Sequence, residues 1–228
     1  MIREIGKRLE LAKEDRITIH TGKAAYHIMC TPTDLKELVV GFLVSEGVVK
    51  SIDDIVFSGF EDGKVISVNL NGNSSDTTLS SSGSIGIYRE NEEIPEVVAK
   101  ENFTIEEARD SLQYLEIEEY LRTRGYHVAA IVGKEGLIFR RYDVGRHNAV
   151  DKTIGAALLN DTDLSRVFLL LSGRISRGIV MKCARVGIPL IVSKAAILDS
   201  AIEVCEKSGI AAVSFATNIA VVGDALKC

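Results

Sequence analysis

A continuous apolar stretch at residues 167–171 and two further strand patterns at 188–193 and 211–215, all in the second half of the chain, alternate with segments of helical spacing at 175–186 and 198–207. A strand that is apolar at every position must be covered on both faces, and strands separated by helical crossovers run parallel. The pattern therefore predicts an α/β fold with a parallel sheet sandwiched between helices. In such a sheet ligands collect beyond the carboxyl ends of the strands. Here those ends deliver Ser172-Gly173-Arg174-Ile175-Ser176, Ser193-Lys194 and Ala216-Thr217-Asn218 to one edge. The first of these segments opens a helix, so backbone N–H groups, the helix dipole, serine hydroxyls and Arg174 can all face an anion. A capped helix with surface cations is the plainer alternative.

A second polar cluster precedes that region. Asp143-Val144-Gly145-Arg146-His147-Asn148-Ala149-Val150-Asp151-Lys152 gathers carboxylates, fixed cations, an imidazole and an amide into one short run. Gly145 allows a tight turn, and the residues after it start a helix. His147 with Asp151, and Asn148 with Lys152, are four apart and share faces of that helix. Val150, Ile154, Ala157 and Leu158 supply the opposite, apolar stripe. Local ion pairs at a helix start would account for such a string. With Arg174 and Lys194 brought to the same edge, it also reads as a wall of a phosphate-binding cleft; His127, at the start of a strand, is either a satisfied core histidine or a border of that cleft.

The first half is organised differently. Residues 16–30 read as a hairpin turning at Thr21-Gly22-Lys23. Thr31 then serves as a helix N-cap, with Pro32 at the first helical position and Asp34 three after the cap. Leu35, Leu38, Val39, Phe42 and Leu43 form the buried stripe, and Gly47 ends the helix. Residues 65–70 are a strand. Residues 71–86 are polar and glycine-rich with almost nothing to bury, which fits a flexible linker or, where long loops serve a purpose, a binding loop. A capping box at Thr104 and Glu107 opens a helix through about residue 121, and 127–132 with 137–143 form a hairpin. The expected organisation is a smaller N-terminal α+β subdomain over residues 1–100, containing the loop 71–86, and an α/β domain over 101–228.

The net charge of −5 gives the bulk field no attraction for nucleic acid or an anionic membrane, so any anion must be held by a local cluster. No apolar run approaches the roughly 18 residues of a membrane span, and the first residues lack the apolar core of a signal peptide. The cytoplasm is the expected location. Cys30, Cys183, Cys205 and Cys228 form no CxxC pair, which removes zinc-ribbon and thioredoxin-like readings; no structural metal is expected. No serine–histidine–acid ordering or Walker glycine–lysine pattern appears.

Three ordered blocks carry a resemblance. They are Thr31-Pro32-Thr33-Asp34-Leu35-Lys36-Glu37-Leu38 with Gly41-Phe42-Leu43-Val44-Ser45-Glu46-Gly47, the run 143–152, and Ser172-Gly173-Arg174-Ile175-Ser176 followed by Lys182 and Gly187-Ile188-Pro189. Through them the chain resembles the FdhD/NarQ family, accessory proteins of formate dehydrogenase maturation. The resemblance implies a cytidine-deaminase-like three-layer α/β/α C-terminal domain, a smaller N-terminal α+β subdomain and a homodimer. It implies that sulfur is taken as a persulfide from a cysteine desulfurase and passed to bis(molybdopterin guanine dinucleotide) before that cofactor enters formate dehydrogenase. A guanine nucleotide would mimic part of that ligand. Cofactor contacts or support are implied for His127, Asp143, Arg146, His147, Asn148, Lys152, Ser172, Gly173, Arg174 and Ser176. They are also implied for Phe215, Ala216, Thr217, Asn218, Ile219 and Ala220.

The sequence departs from the family's pattern at informative places. The zinc-binding Pro-Cys-x-x-Cys of deaminases is absent, so a deaminase-like fold does not bring deamination. The family's sulfur-bearing loop, Cys-Gly-x-Cys-Gly, matches Ser82-Gly83-Ser84-Ile85-Gly86. Ser82 thus stands at the persulfide position, and a serine hydroxyl, with a far higher pKa and no S–S chemistry, cannot carry sulfur. Arg177-Gly178 replaces an acidic position, and Phe215-Ala216-Thr217-Asn218 lacks an Arg-Gly pair. The alternatives are a non-catalytic protein that holds or escorts the cofactor, and a carrier in which Cys30 or Cys228 has taken over the sulfur.

Overall fold

The computed structural model describes residues 3, 5–22, 24–61, 65–70, 79–81 and 92–227. Strands β1 (Asp15–His20) and β2 (Ala25–Cys30) form the expected antiparallel hairpin, with Gly22 at φ +78° in its turn. Helix α1 (Leu35–Ser45) follows, then β3 (Ile55–Glu61), β4 (Val65–Leu70) and β5 (Leu79–Ser81). These strands make a five-stranded sheet in the order β3-β4-β1-β2-β5. Its apolar face carries Ile17, Ile19, Ile28, Ile66 and Val68, which pack with Leu38, Val39, Phe42 and Leu43 of α1.

Two expectations for this half are corrected. Helix α1 does not start at a Thr31 cap: its N-cap is Asp34, in the left-handed region at φ 50° and without a side-chain cap bond. Long-range contacts have taken the groups that capping would use. The Thr31 N–H donates to Asp143 Oδ2 at 2.9 Å, and Thr31 Oγ1 accepts from the Val144 N–H at 3.1 Å. The stretch read as a linker contains β5, which pairs in parallel with β2 from Tyr26↔Leu79 to Ile28↔Ser81. The rest of 71–86, Ser82 included, lies outside the described residues.

The second half opens with β6 (Phe103–Thr104) and α2 (Ile105–Asp110), the latter started by the predicted Thr104–Glu107 capping box. The helix expected to run on to 121 instead tightens into a 3-10 stretch, Ser111–Leu115, and restarts as α3 (Glu118–Thr123). Leu115 and Ile117 are both buried. Residues two apart cannot share a helix face, so the chain must break for both to reach the core.

Next come β7 (His127–Gly133), β8 (Gly136–Asp143), α4 (Arg146–Leu159), β9 (Phe168–Leu171), α5 (Arg177–Val186), β10 (Leu190–Ser193), α6 (Asp199–Ser208), β11 (Ala211–Ser214), β12 (Ile219–Val221) and β13 (Leu226–Lys227). Strand β13 pairs with β6, and the others build a six-stranded sheet in the order β12-β11-β10-β9-β7-β8. Its centre, β9-β10-β11, is parallel as expected. The flanks are antiparallel, because hairpins rather than crossovers supply β7–β8 and β11–β12. Helices α4, α5 and α6 cover one face, with Val150, Ile154, Ile179, Val180 and Val204 against Ile131, Leu169 and Ile191. The other face buries Phe103, Ala108, Leu115 and Ile117, so this half has three layers, α/β/α. Among the described residues no helix is long and apolar enough to cross a membrane.

Helix α4 is the middle of the molecule. Its apolar stripe meets the six-stranded sheet, while its other side lies on α1, and every residue from His147 to Ala157 is buried. The two helices touch backbone to backbone at a pair of glycines. A Cβ on Gly41 would stand 1.8 Å from the Asp151 carbonyl oxygen, and one on Gly155 would stand 1.9 Å from that of Glu37. Beside this crossing, Lys182 of α5 contacts Asp151 Oδ1 at 2.7 Å, Glu46 Oε1 at 2.5 Å and Ser45 Oγ at 3.1 Å. Burial pushes the Asp151 carboxyl up to about 6, against the pull of Lys182. Arg185 extends the network, donating to Ser45 O at 2.6 Å and to Glu92 Oε1 at 2.7 Å.

The glycine crossing gives a direct expectation. Gly155→Ala places a methyl group inside a neighbouring backbone that cannot rotate away, so destabilisation of about 3 kcal/mol or more is expected, at or beyond the upper range for overpacking. A urea denaturation midpoint indistinguishable from wild type would contradict this geometry.

Candidate functional site

The carboxyl ends of β9, β10 and β11 each finish in or beside a serine; the hydroxyls of Ser193 and Ser214 join neighbouring turns, and that of Ser172 holds the start of β7. Ser172 Oγ accepts from the Val128 N–H at 2.9 Å, Ser193 Oγ donates to Gly173 O at 2.7 Å, and Ser214 Oγ donates to Ala195 O at 2.7 Å. The turns after β9 and β10 also form a parallel bridge, Ile175↔Ile197. The edge predicted from the strand pattern is therefore a single stitched rim.

On that rim, positive charge gathers at the start of α5. Arg174 is exposed, Arg146 half-buried. Burial and Arg174 lower the pKa of Arg146, and burial followed by Arg146 lowers that of His127, with Arg174 adding to the effect. Gly173 keeps the group close: a Cβ there would meet Arg146 Cβ at 3.1 Å and His127 Nδ1 at 3.5 Å. His147 lies behind, and burial, Lys182, Arg146 and His127 drive its pKa down to about 3. Both imidazoles are thus biased toward the neutral form by an environment already rich in positive charge. An added anion would reverse that bias.

Two buried polar atoms point the same way. Ser176 stands at the N-cap of α5 but makes no side-chain cap bond, and its Oγ is buried without a hydrogen-bond partner. His147 Nδ1 is in the same condition. Buried polar groups are nearly always satisfied, and exceptions commonly mark places where a ligand or water completes the set. The start of α5 also presents the unsatisfied N–H groups and positive dipole end of a helix. Gly178, in its first turn, leaves room for His147: a Cβ there would sit 3.2 Å from Nε2.

Three residues of the 143–152 run take a supporting role instead. Asp143 and Lys152 are fully buried and paired at 2.8 Å. Asp143 also accepts from Thr31 N–H, Gly145 N–H at 2.8 Å and Asn148 Nδ2 at 2.9 Å. Asn148 donates to Met29 O at 2.8 Å, and Lys152 to Thr31 O at 2.8 Å. These side chains bolt the turn before α1 to the start of α4, which positions Arg146 and His147. The segment 215–220 lies on the same rim, joined to it by Phe215 N–H to Ser193 O at 2.9 Å. Residues 216–220 are exposed.

The sequence pattern did not single out Tyr120 and Tyr126, which wall a cavity beside His127 and Ser172. The signal available was an aromatic residue immediately before a strand that delivers a site histidine. Cys30 proves unsuited to sulfur transfer: it is fully buried, and burial followed by Asp143 pushes its thiol up to about 12. Burial likewise raises Cys183, and raises Cys205 to about 12. Cys228 lies outside the described residues.

Comparison with known proteins places these features in a family. The sequence model of the FdhD/NarQ family matches residues 12–222. A protein of Shouchella clausii named sulfur carrier protein FdhD is 31% identical over 230 residues, covering 91% of this chain and 85% of the relative. One of the same name from Bacillus subtilis is 30% identical over 235 residues, covering 88% and 82%. The crystal structure of a formate dehydrogenase accessory protein from Desulfotalea psychrophila superposes with a TM-score of 0.75 at 25% identity, covering 90% of this chain and 84% of that one. The chain belongs to the FdhD/NarQ family.

Support and contact can be separated by measurement. Asp143→Asn leaves the Lys152 ammonium buried with its charge uncompensated, so a loss of about 3–5 kcal/mol is expected. Arg174→Ala, at an exposed position, is expected to stay within about 0.5 kcal/mol of wild type. Equal thermal stability of the two variants would show that Asp143 is not the bolt described.

Proposed function

We propose, from the premise of FdhD/NarQ membership, that this protein is a formate dehydrogenase accessory factor. In this role its stitched rim holds the phosphates of bis(molybdopterin guanine dinucleotide) before that cofactor reaches the dehydrogenase. The observation that carries the proposal is the convergence of Arg146, Arg174 and His127 on the start of α5, where Ser176 Oγ and His147 Nδ1 are buried without partners.

The residues present fit such a ligand. Arg174, exposed beside the turn, can pair with a phosphate in the two-pronged geometry that guanidinium groups favour. Arg146 and the 172–176 backbone supply further donors, and neutral His147 and Ser176 can donate without adding charge. Asp143, Asn148 and Lys152 hold that constellation from beneath, and the exposure of 216–220 on the same rim supports a contact with the remainder of an elongated ligand. The cofactor is cargo rather than a resident group, and when bound it supplies the molybdenum centre that formate dehydrogenase later uses. On this reading the protein works in the cytoplasm as a homodimer, with formate dehydrogenase as the recipient.

Sulfur relay from a cysteine desulfurase needs an accessible thiolate. By the resemblance, Ser82 stands where the family carries its persulfide cysteine, and Cys30, Cys183 and Cys205 are buried with raised thiols. These observations favour a second reading within the same family, a protein that binds or escorts the cofactor and has lost persulfide chemistry.

Each reading has its own test. Calorimetry with GDP is expected to show binding by the wild type, weakened about tenfold or more by Arg174→Ala, since a hydrogen bond to a charged group contributes roughly 1.5–3 kcal/mol. Equal affinity of the two proteins would overturn the phosphate site. Incubation with a cysteine desulfurase and sulfur-labelled cysteine is expected to leave Cys30, Cys183 and Cys205 unlabelled. Label that survives on Cys228 would instead restore the relay.

A further inference from the structure

The six-stranded sheet ends on one side at the short β12 and on the other at β8, the longest strand among the described residues, which pairs only with β7. A long edge offers backbone N–H and C=O groups to another chain unless something blunts it. The second half of β8 is blunted: Arg140 O accepts from Arg141 Nη1 at 2.9 Å, and Tyr142 O from Lys152 Nζ at 3.4 Å. Among the described residues, 136–139 have no such cover. There Leu137 and Ile138 are exposed to 38% and 42%, and Ile138 is the extra residue of a bulge, a device that re-aims a side chain.

Beside this bare stretch lies a hollow of about 160 Å³, walled by Phe103, Tyr114 and Phe168 and reaching Gly136, the first residue of β8. Phe103 and Phe168 meet edge to face with centroids 4.8 Å apart. Gly136, at φ +106°, is pressed to the wall, and a Cβ there would meet Tyr114 Oη at 3.0 Å. Pockets that take a whole small ligand begin at roughly 300 Å³. This one suits a single side chain. It lies at the Phe168 end of β9, away from the rim that follows Leu171.

The charges around it are unevenly spent. Asp110 lines the hollow, Glu135 precedes Gly136, and Glu116 lies where Arg140 reaches. All three carboxylates are exposed and none is ion-paired among the described residues. The neighbouring cations are committed: Lys134 to Glu107 at 2.7 Å, Arg140 to the carbonyls of Tyr114 and Glu116 at 3.1 and 3.3 Å, and Arg141 to Asp34 and Glu37 at 3.2 Å each. Strand β8 therefore has no free cation to bring to these acids, which argues against a second copy pairing here.

We infer that 136–139 and the adjoining hollow are a docking surface for an extended segment of a different protein. That segment pairs with the strand edge, seats one apolar side chain among Phe103, Tyr114 and Phe168, and sets lysine or arginine against Asp110, Glu116 and Glu135. In strand addition the main chain supplies affinity and side-chain pockets supply selectivity. The inference is independent of the phosphate site.

Fluorescence anisotropy with two labelled peptides tests it, one alternating leucine with lysine and one alternating leucine with glutamate. Wild type should bind the lysine peptide about tenfold more tightly, and Ile138→Lys should weaken that binding about tenfold. Val56→Lys makes the same change in net charge at an exposed position of the other sheet and should leave binding as in wild type. The bound peptide should slow amide hydrogen exchange across 136–139 and not in the 172–176 turn. The inference is overturned if wild type binds neither peptide or both alike, if Ile138→Lys does no more than Val56→Lys, or if exchange slows elsewhere instead. Sedimentation in which Ile138→Lys turns a dimer into a monomer would assign the edge to a second copy and overturn it too.

Discussion

Everything in this molecule is arranged around the contact between α1 and α4, where two glycines let the helix backbones meet without side chains between them. Gly41 and Gly155 have no room for even a methyl group. The consequence for α4 is burial of every residue from His147 to Ala157. A helix covered by a sheet on one side and another helix on the other has no solvent face, so its polar residues must find partners inside. Asp151 does so with Lys182 and Ser45, and Lys152 does so with Asp143. Buried ion pairs of this kind add little net stability, but removing either member leaves an uncompensated charge.

The strand pattern of the second half was legible because continuous apolar runs allow few solutions. The parallel order of β9, β10 and β11, their shared carboxyl edge and the capping box at Thr104 could all be read from residue order. The antiparallel flanks of the sheet were less accessible, since short strands joined by hairpins pair with whichever edge the crossovers leave open. The failures were cases where distant contacts overrode local preference. Thr31 has every local attribute of an N-cap and spends its groups on Asp143 and Val144 instead. The 104–121 helix broke because Leu115 and Ile117 both had to be buried.

The site was legible in composition but not in division of labour. The 143–152 run showed an unusual mixture of charges, and most of that mixture, Asp151 included, turned out to be internal. Arg146 and His147 belong to the rim, while Asp143, Asn148 and Lys152 belong to the joint beneath it. Spacing could not separate the two groups, because both fall on faces that are buried. The mid-helix glycines were the overlooked sign: glycine inside a helix costs about 1 kcal/mol against alanine and often marks a packing constraint.

The serine stitching along the rim limits how such a protein can diversify. Ser193 and Ser214 tie three turns to one another, and Ser172 ties the first of them to β7, so lengthening or redirecting one of these loops disturbs its neighbours. The exposed hairpin tip at 216–220 and the tyrosine-walled hollow lie outside that seam. The rim is mechanically one block, free to change independently only at its ends.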